Sequence, residues 1–233
     1  MGRGSRPGRV GATPAAYAEG MTTVLLTGFE PFAGDARNPS GEAVHLVADA
    51  WDGPEELVTA VLPTAFGRSA ARLSELLAEH EPDVVIATGL AGGRPWVTPE
   101  RVAVNLIDAR LPDNDGEQPV DEPSLPGAPA AYFSTLPVKA IANAIGADGV
   151  PARPSLSAGA FVCNHVFFRL MDAVSLRTAD VRAVADASAG IRAGFIHVPW
   201  ADGFGGPADA PTLPIEDIAR ALTIAVRTTL DER

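Results

Sequence analysis

Apolar and polar positions along the chain switch repeatedly between two periods. Thr22–Thr27 is a short β-branched and leucine run that stops at Gly28, the pattern of a strand buried on both faces. Ser40–Trp51 then places Val44, Val47, Ala48 and Trp51 on one side of a helix. Leu57–Leu62 reads as a second strand, and Phe66–His80 as a helix with Phe66, Ala70, Leu73 and Leu77 in register. Asp83–Thr88 is another buried strand, halted at Gly89, and Val102–Ile107, which alternates less clearly, reads as one more. Pro137–Ile145 is a helix with proline in its first turn. Cys163–Val174 is a helix that buries Val166, Phe167, Leu170, Met171 and Val174. Gly194–Val198 is a buried strand, and Pro214–Thr229 closes the chain as a helix with Ile215, Ile218, Ala219, Leu222 and Ala225 inward.

Strands that alternate with helices predict an α/β fold: a three-layer sandwich with a mostly parallel, twisted central sheet. No repeat or linker divides residues 21–233, so they read as a single domain. In such folds sites gather where strands end, which directs attention to the turns after Thr27, Thr88 and Phe161. Residues 108–131 are rich in Pro, Asp and Gly and read as one long loop. A loop of that length in a compact domain is often functional. Residues 1–20 carry Arg3, Arg6 and Arg9, several glycines and two prolines, without the apolar stretch of a secretory signal. They read as a disordered extension, or as the result of an upstream start codon, ahead of a domain that opens at Met21. A transit peptide fits less well, because the segment has no clear amphipathic helix.

Composition narrows the class. The chain has 233 residues, 46% hydrophobic and 20% charged, which is enough to bury a substantial core. Its 18 basic and 29 acidic residues give a net charge of −11, which disfavours nonspecific binding to nucleic acid or anionic membrane. The apolar runs are too short to span a bilayer. A single cysteine excludes an intrachain disulfide and a multi-cysteine metal site, and fits a reduced, cytoplasmic setting.

Candidate chemistry comes from a few positions. Gly28–Gly34 lacks the Lys-Ser/Thr ending of a phosphate loop, and Gly89–Gly93 lacks dinucleotide spacing. The four histidines show no metal-ligand spacing. His45 and His80 belong to surface-like helices. His165 stands two residues after Cys163, about 200° around a helix, so the two do not bond. His197 ends a buried strand and can project over the sheet edge, although a core histidine bonded to backbone fits the same place. Cys163 stands where a turn hands over to a helix, and a helix N-terminus favours the nucleophilic thiolate and can hold an oxyanion. From position alone a buried, inert cysteine is the commoner case. Glu100 enters a buried strand and needs a partner. Strand alternation turns Arg101 to the other face, which leaves an imidazole as one partner, or else Glu100 is a surface edge-strand glutamate.

In order and spacing, several segments resemble the pyroglutamyl peptidase I (pyrrolidone-carboxyl peptidase) family of cysteine peptidases. They are Thr27-Gly-Phe-Glu-Pro-Phe32, Asn38-Pro-Ser40, Gly92-Gly-Arg94, Glu100-Arg-Val-Ala-Val-Asn105, Asp108-Ala-Arg-Leu-Pro-Asp-Asn114, Ser157-Ala-Gly-Ala-Phe-Val-Cys-Asn-His165 and Gly194-Phe-Ile-His-Val-Pro199. The resemblance implies removal of an N-terminal pyroglutamyl residue from peptides. It implies Cys163 as nucleophile, His197 as base and Glu100 as the group that orients it. By the same resemblance Phe29, Phe32 and Phe161 line the slot for the lactam, Asn38 lies near it, and Arg110 supports the oxyanion. It further implies that no metal or organic cofactor is needed, and that the protein is a homodimer or homotetramer. Departures from the family pattern are Leu90, where glutamine is common, and Ala160, where threonine is common. Residues 176–190 and 201–211 match poorly. Two rival expectations share the scaffold: a noncatalytic protein that binds pyroglutamyl peptides, and an amidase for a different cyclic or acylated N-terminus.

Overall fold

The computed structural model describes Met1, residues 21–182 and residues 190–232. The predicted extension over residues 1–20 therefore falls, Met1 apart, outside the described residues. The main sheet has five strands in the order β2-β1-β3-β7-β4. These are β1 (Thr23–Phe29), β2 (Glu56–Leu62), β3 (Val84–Leu90), β4 (Thr98–Pro99) and β7 (Arg192–Val198). The first four in that order run parallel, and the two-residue β4 is antiparallel to β7. Two small sheets flank it: β5 (Val102–Val104) with β6 (Ala131–Phe133), and β8 (Trp200–Ala201) with β9 (Thr212–Leu213).

Helices cover both faces, which is why the central strands read as almost continuous apolar runs. On one face Val24, Leu26, Val84, Ile86, Ile196 and Val198 pack beneath α1 (Pro39–Ala50), α3 (Val138–Ala147) and α5 (Ile215–Asp231). On the other, Leu25, Val85, Ala87, Ala193 and Phe195 pack beneath α2 (Phe66–His80) and α4 (Val162–Arg182). The result is the three-layer sandwich the alternation predicts. Along β7 the period of two puts Phe195, and therefore His197, on the α4 side.

Three expectations are corrected. Val102–Ile107 does not join the main sheet. After β4 the Glu100 N–H still donates to the Phe195 carbonyl at 2.8 Å, but Arg101 N–H donates to Ser155 and the chain leaves to pair with β6. Ala48 is exposed, because the buried stripe of α1 runs through Ala43, Val44 and Val47. The fourth helix continues eight residues past Val174, to Arg182.

The long loop is pinned by buried polar side chains rather than by regular structure. Asp113, 6% exposed, accepts from the N–H groups of Asp115 and Glu117, and its other oxygen accepts from Phe66 N–H at the start of α2. Asn105 grips Leu125 and Ala128, and the Asn114 amide reaches Glu30 and Pro31 on the opposite turn. The loop thereby braces the β1–α1 turn.

That turn depends on a close approach. The Asn38 side chain caps α1 by accepting from the N–H and hydroxyl of Ser40, and the Ser40 oxygen accepts from Phe29 N–H at 3.0 Å. Gly28 makes the contact feasible, since a Cβ there would sit 2.4 Å from the Ser40 carbonyl oxygen. Gly28→Ala is expected to lower stability by about 2 kcal/mol, seen as a lower urea midpoint. An unchanged midpoint would contradict this packing.

His165 bonds Ser124 at 2.8 Å through Nδ1 and meets Phe66 edge-on, so it is a core residue facing away from Cys163. Burial, aided by the charge of Arg169, pushes its imidazole down to about 4. Between pH 6.5 and about 4 the unfolded chain binds a proton here and the folded chain does not. Stability should therefore fall as pH drops through that window, by up to about 3 kcal/mol, and this contribution should level off below it. His165→Gln should flatten that part of the stability curve, and a variant curve parallel to wild type would count against it.

Candidate active site

Three elements converge at the carboxyl end of the sheet. β7 carries His197 as its penultimate residue, the connection after β4 carries Glu100, and α4 opens with Val162 and Cys163. A cavity of about 530 Å³ lies between them, and both Cys163 and His197 line it. Gly89 is the hinge point of this arrangement. It is the register partner of His197 across the β3–β7 pair, and a Cβ on it would stand 2.8 Å from the Cys163 sulfur. The missing side chain leaves room for the sulfur beside the strand that pairs with β7.

His197 is 4% exposed and stacks at 4.8 Å on Phe195. Its Nδ1 lies 2.8 Å from Oε1 of Glu100, which is fully buried behind it and outside the cavity. This pairing fixes the tautomer: Nδ1 carries the hydrogen, and Nε2 is left with a lone pair. The same Oε1 accepts from Arg94 Nη1 at 2.5 Å, whereas Oε2 has no hydrogen-bond partner among the described residues. Burial works to raise the Glu100 carboxyl, but the hydrogen bonds and charge around it, led by His197, hold it below the ordinary range. Burial lowers the His197 imidazole, against the opposing pull of Glu100.

Cys163 is half-buried, and the N–H groups of the first turn of α4 have no helical acceptor. A helix end of this kind favours the thiolate, but the surroundings of the sulfur oppose it. Dense protein around the sulfur pushes the thiol up to about 12, and the Glu100 charge adds to the effect. Burial thus favours the neutral thiol and the neutral imidazole. Asn164, the next residue, accepts from Val104 N–H and donates to the Val104 and Leu106 carbonyls, which anchors the start of the helix.

The remaining site residues meet in the same cavity. Phe32 and Phe161 are partly open to it and pack at 5.2 Å. Phe66 closes on Phe161 edge-to-face from behind. Phe29 also lines the cavity, but it is 2% exposed and belongs mostly to the core against Phe195. Asn38 touches the cavity, yet both ends of its amide are engaged, with Ser40 and with the Glu30 carbonyl. Arg110 is exposed on the wall and has no hydrogen-bond partner among the described residues. Leu90 lines the wall and packs partly on the α1 face. Arg94 is the residue that the sequence reading of the site missed. Its signal was the Gly92-Gly-Arg94 motif, but only the structure folds that turn back onto Glu100.

Known proteins share this arrangement over most of the chain. The sequence profile of pyroglutamyl peptidase matches residues 22–232. A pyrrolidone-carboxylate peptidase of Clavibacter michiganensis subsp. michiganensis is 48% identical over 210 residues, which cover 90% of this chain and 93% of that protein. The crystal structure of Bacillus amyloliquefaciens pyroglutamyl peptidase I aligns with a TM-score of 0.81 at 45% identity, covering 91% of this chain and 98% of that one. A mutant pyrrolidone carboxyl peptidase from Pyrococcus furiosus aligns with a TM-score of 0.79 at 38% identity, covering 91% and 99%. Matched by the family profile over residues 22–232 and by these relatives at up to 48% identity over nearly their full length, this chain belongs to the pyroglutamyl peptidase family.

Proposed function

We propose that this protein is a cysteine peptidase that removes an N-terminal pyroglutamyl residue from peptides, with Cys163, His197 and Glu100 as its catalytic triad. One observation carries the reading. A histidine oriented by a buried carboxylate shares a cavity with the lone thiol, and aromatic rings wall that cavity.

The pyroglutamyl lactam is flat and uncharged, and fits apolar walls such as Phe32 and Phe161. An ordinary N-terminus would bring an ammonium group into the same walls without a partner, which is costly. As the Cys163 sulfur attacks the pyroglutamyl carbonyl carbon, its proton passes to His197 Nε2. A C–S bond forms and the carbonyl electron pair moves to oxygen. The N–H groups at the start of α4, with Arg110 on the wall, are suited to hold that oxyanion. The intermediate collapses, the C–N bond breaks, and His197 returns the proton to the leaving amine. This leaves a thioester on Cys163. Water, deprotonated by His197, then adds to the thioester carbonyl, the C–S bond breaks, and the sulfur recovers its proton as pyroglutamate leaves. Glu100 holds Nδ1–H throughout and stabilises each imidazolium.

Burial favours the protonated thiol, which suits loss of its proton during the attack. Among the described residues no helix is long and apolar enough to cross a membrane. A free nucleophilic cysteine supports action in a reducing cytoplasm, and the family resemblance supports a homodimer or homotetramer.

Hydrolysis of a chromogenic pyroglutamyl amide under reducing conditions tests the reading. Cys163→Ala should abolish turnover with an unchanged circular dichroism spectrum, and retained turnover would sink the mechanism. Glu100→Gln should lower kcat by roughly 10³- to 10⁴-fold. A loss under tenfold would remove Glu100 from the triad.

A further inference from the structure

Arg94 stands on the connection between β3 and β4 and lines the cavity, with its side chain 28% exposed. Its Nη1 reaches Glu100 Oε1 at 2.5 Å and Thr98 Oγ1 at 2.8 Å, while Nη2 donates to the Ser157 carbonyl at 2.7 Å. The guanidinium is therefore fixed from several sides and aimed at one carboxylate oxygen. His197 binds that same oxygen. A carboxylate with no exposed surface needs a countercharge. Arg94, a guanidinium hydrogen-bonded to that oxygen, supplies it.

We infer that Arg94 is a positioning residue of the reaction: it keeps Glu100 ionised and in place, and shares its charge so that His197 is oriented without being held in its protonated form. The inference rests on the peptidase reading above. Two demands conflict in such a site. Glu100 must attract the Nδ1 proton strongly enough to fix the tautomer. It must not raise the proton affinity of His197 so far that Nε2 is already occupied when substrate arrives. A cation on the shared oxygen meets both demands, because it stabilises the carboxylate and weakens its hold on the imidazolium. The charged and titratable groups facing His197 are Glu100, Arg94 and Cys163, and Asp35, Arg37, Asp108 and Arg110 line the same cavity. Of these, Arg94 alone is a cation hydrogen-bonded to Glu100.

Removing that cation raises the proton affinity of the His197–Glu100 pair. The pair then stays protonated to higher pH, where it cannot accept the thiol proton, and the acid limb of kcat/KM moves upward. The experiment compares wild type, Arg94→Met, Arg94→Gln and Arg94→Lys. It reads the pH profile of kcat/KM on a chromogenic pyroglutamyl amide and the titration of His197 by NMR on ring-labelled protein. The expected result is an upward shift of about one pH unit in both readouts for Met and Gln. Their kcat should fall about tenfold or more, and Lys should restore the limb to near its wild-type position. A limb and a titration that stay at the wild-type position in Met and Gln would overturn the inference, as would Lys shifting as far as Met. That outcome would mark Arg94 as an anchor for residues 155–157 only. A wild type that does not cleave the amide would instead defeat the peptidase reading, and the NMR titration would still decide the role of Arg94.

Discussion

One buried carboxylate sets the terms for this structure. Glu100 has no exposed surface, and an isolated ionised carboxylate in such a place costs several kcal/mol. It persists because His197 and Arg94 both bond to one of its oxygens. Each partner is delivered by a different part of the chain: His197 by the end of a central strand, Arg94 by the turn after β3. The pair in turn decides which nitrogen of His197 faces the cavity, and hence where a proton can go.

The rest of the fold serves that geometry. Strand parity puts His197 on the α4 side, Gly89 leaves room for the sulfur, and Asn164 ties the first turn of α4 to the 104–106 segment. The long loop contributes Arg110 to the cavity wall. It also braces the turn that presents Phe29 and Phe32, through Asn114 and through Asp113 at the start of α2. Burial that would suppress a free-standing thiolate is useful here. It favours the protonated thiol before substrate arrives, and it strengthens the electrostatic effect of every nearby dipole.

Much of this was legible in the sequence. Strands buried on both faces leave uninterrupted apolar runs, so β1, β2, β3 and β7 were readable to within about two residues at each end. The helices were readable wherever an apolar stripe meets the sheet. Cys163, His197 and Glu100 were candidates at the ends of buried segments, and the family resemblance, not their placement alone, gave them catalytic roles. What was not legible depends on contacts far apart in sequence. The two-residue β4 is a strand only because β7 lies beside it. The departure of 102–104 from the main sheet rests on Ser155, over fifty residues away. The Gly92-Gly-Arg94 motif marks Arg94 but not its role, since its partner Glu100 is met only after the turn folds back. The opposing pull on the thiol was hidden for a related reason: a helix N-terminus can be read from sequence, but the protein packed around the sulfur cannot.

The central claim is that the Cys163 sulfur becomes covalently acylated through proton transfer to His197. The most direct measurement is rapid acid quench of the enzyme during turnover of an activated pyroglutamyl ester, followed by mass spectrometry of its peptides. The expected result is one pyroglutamyl group on the peptide that contains Cys163, appearing before steady state and disappearing as substrate runs out. Steady turnover with an unmodified Cys163, or with the acyl group on another residue, would contradict the account.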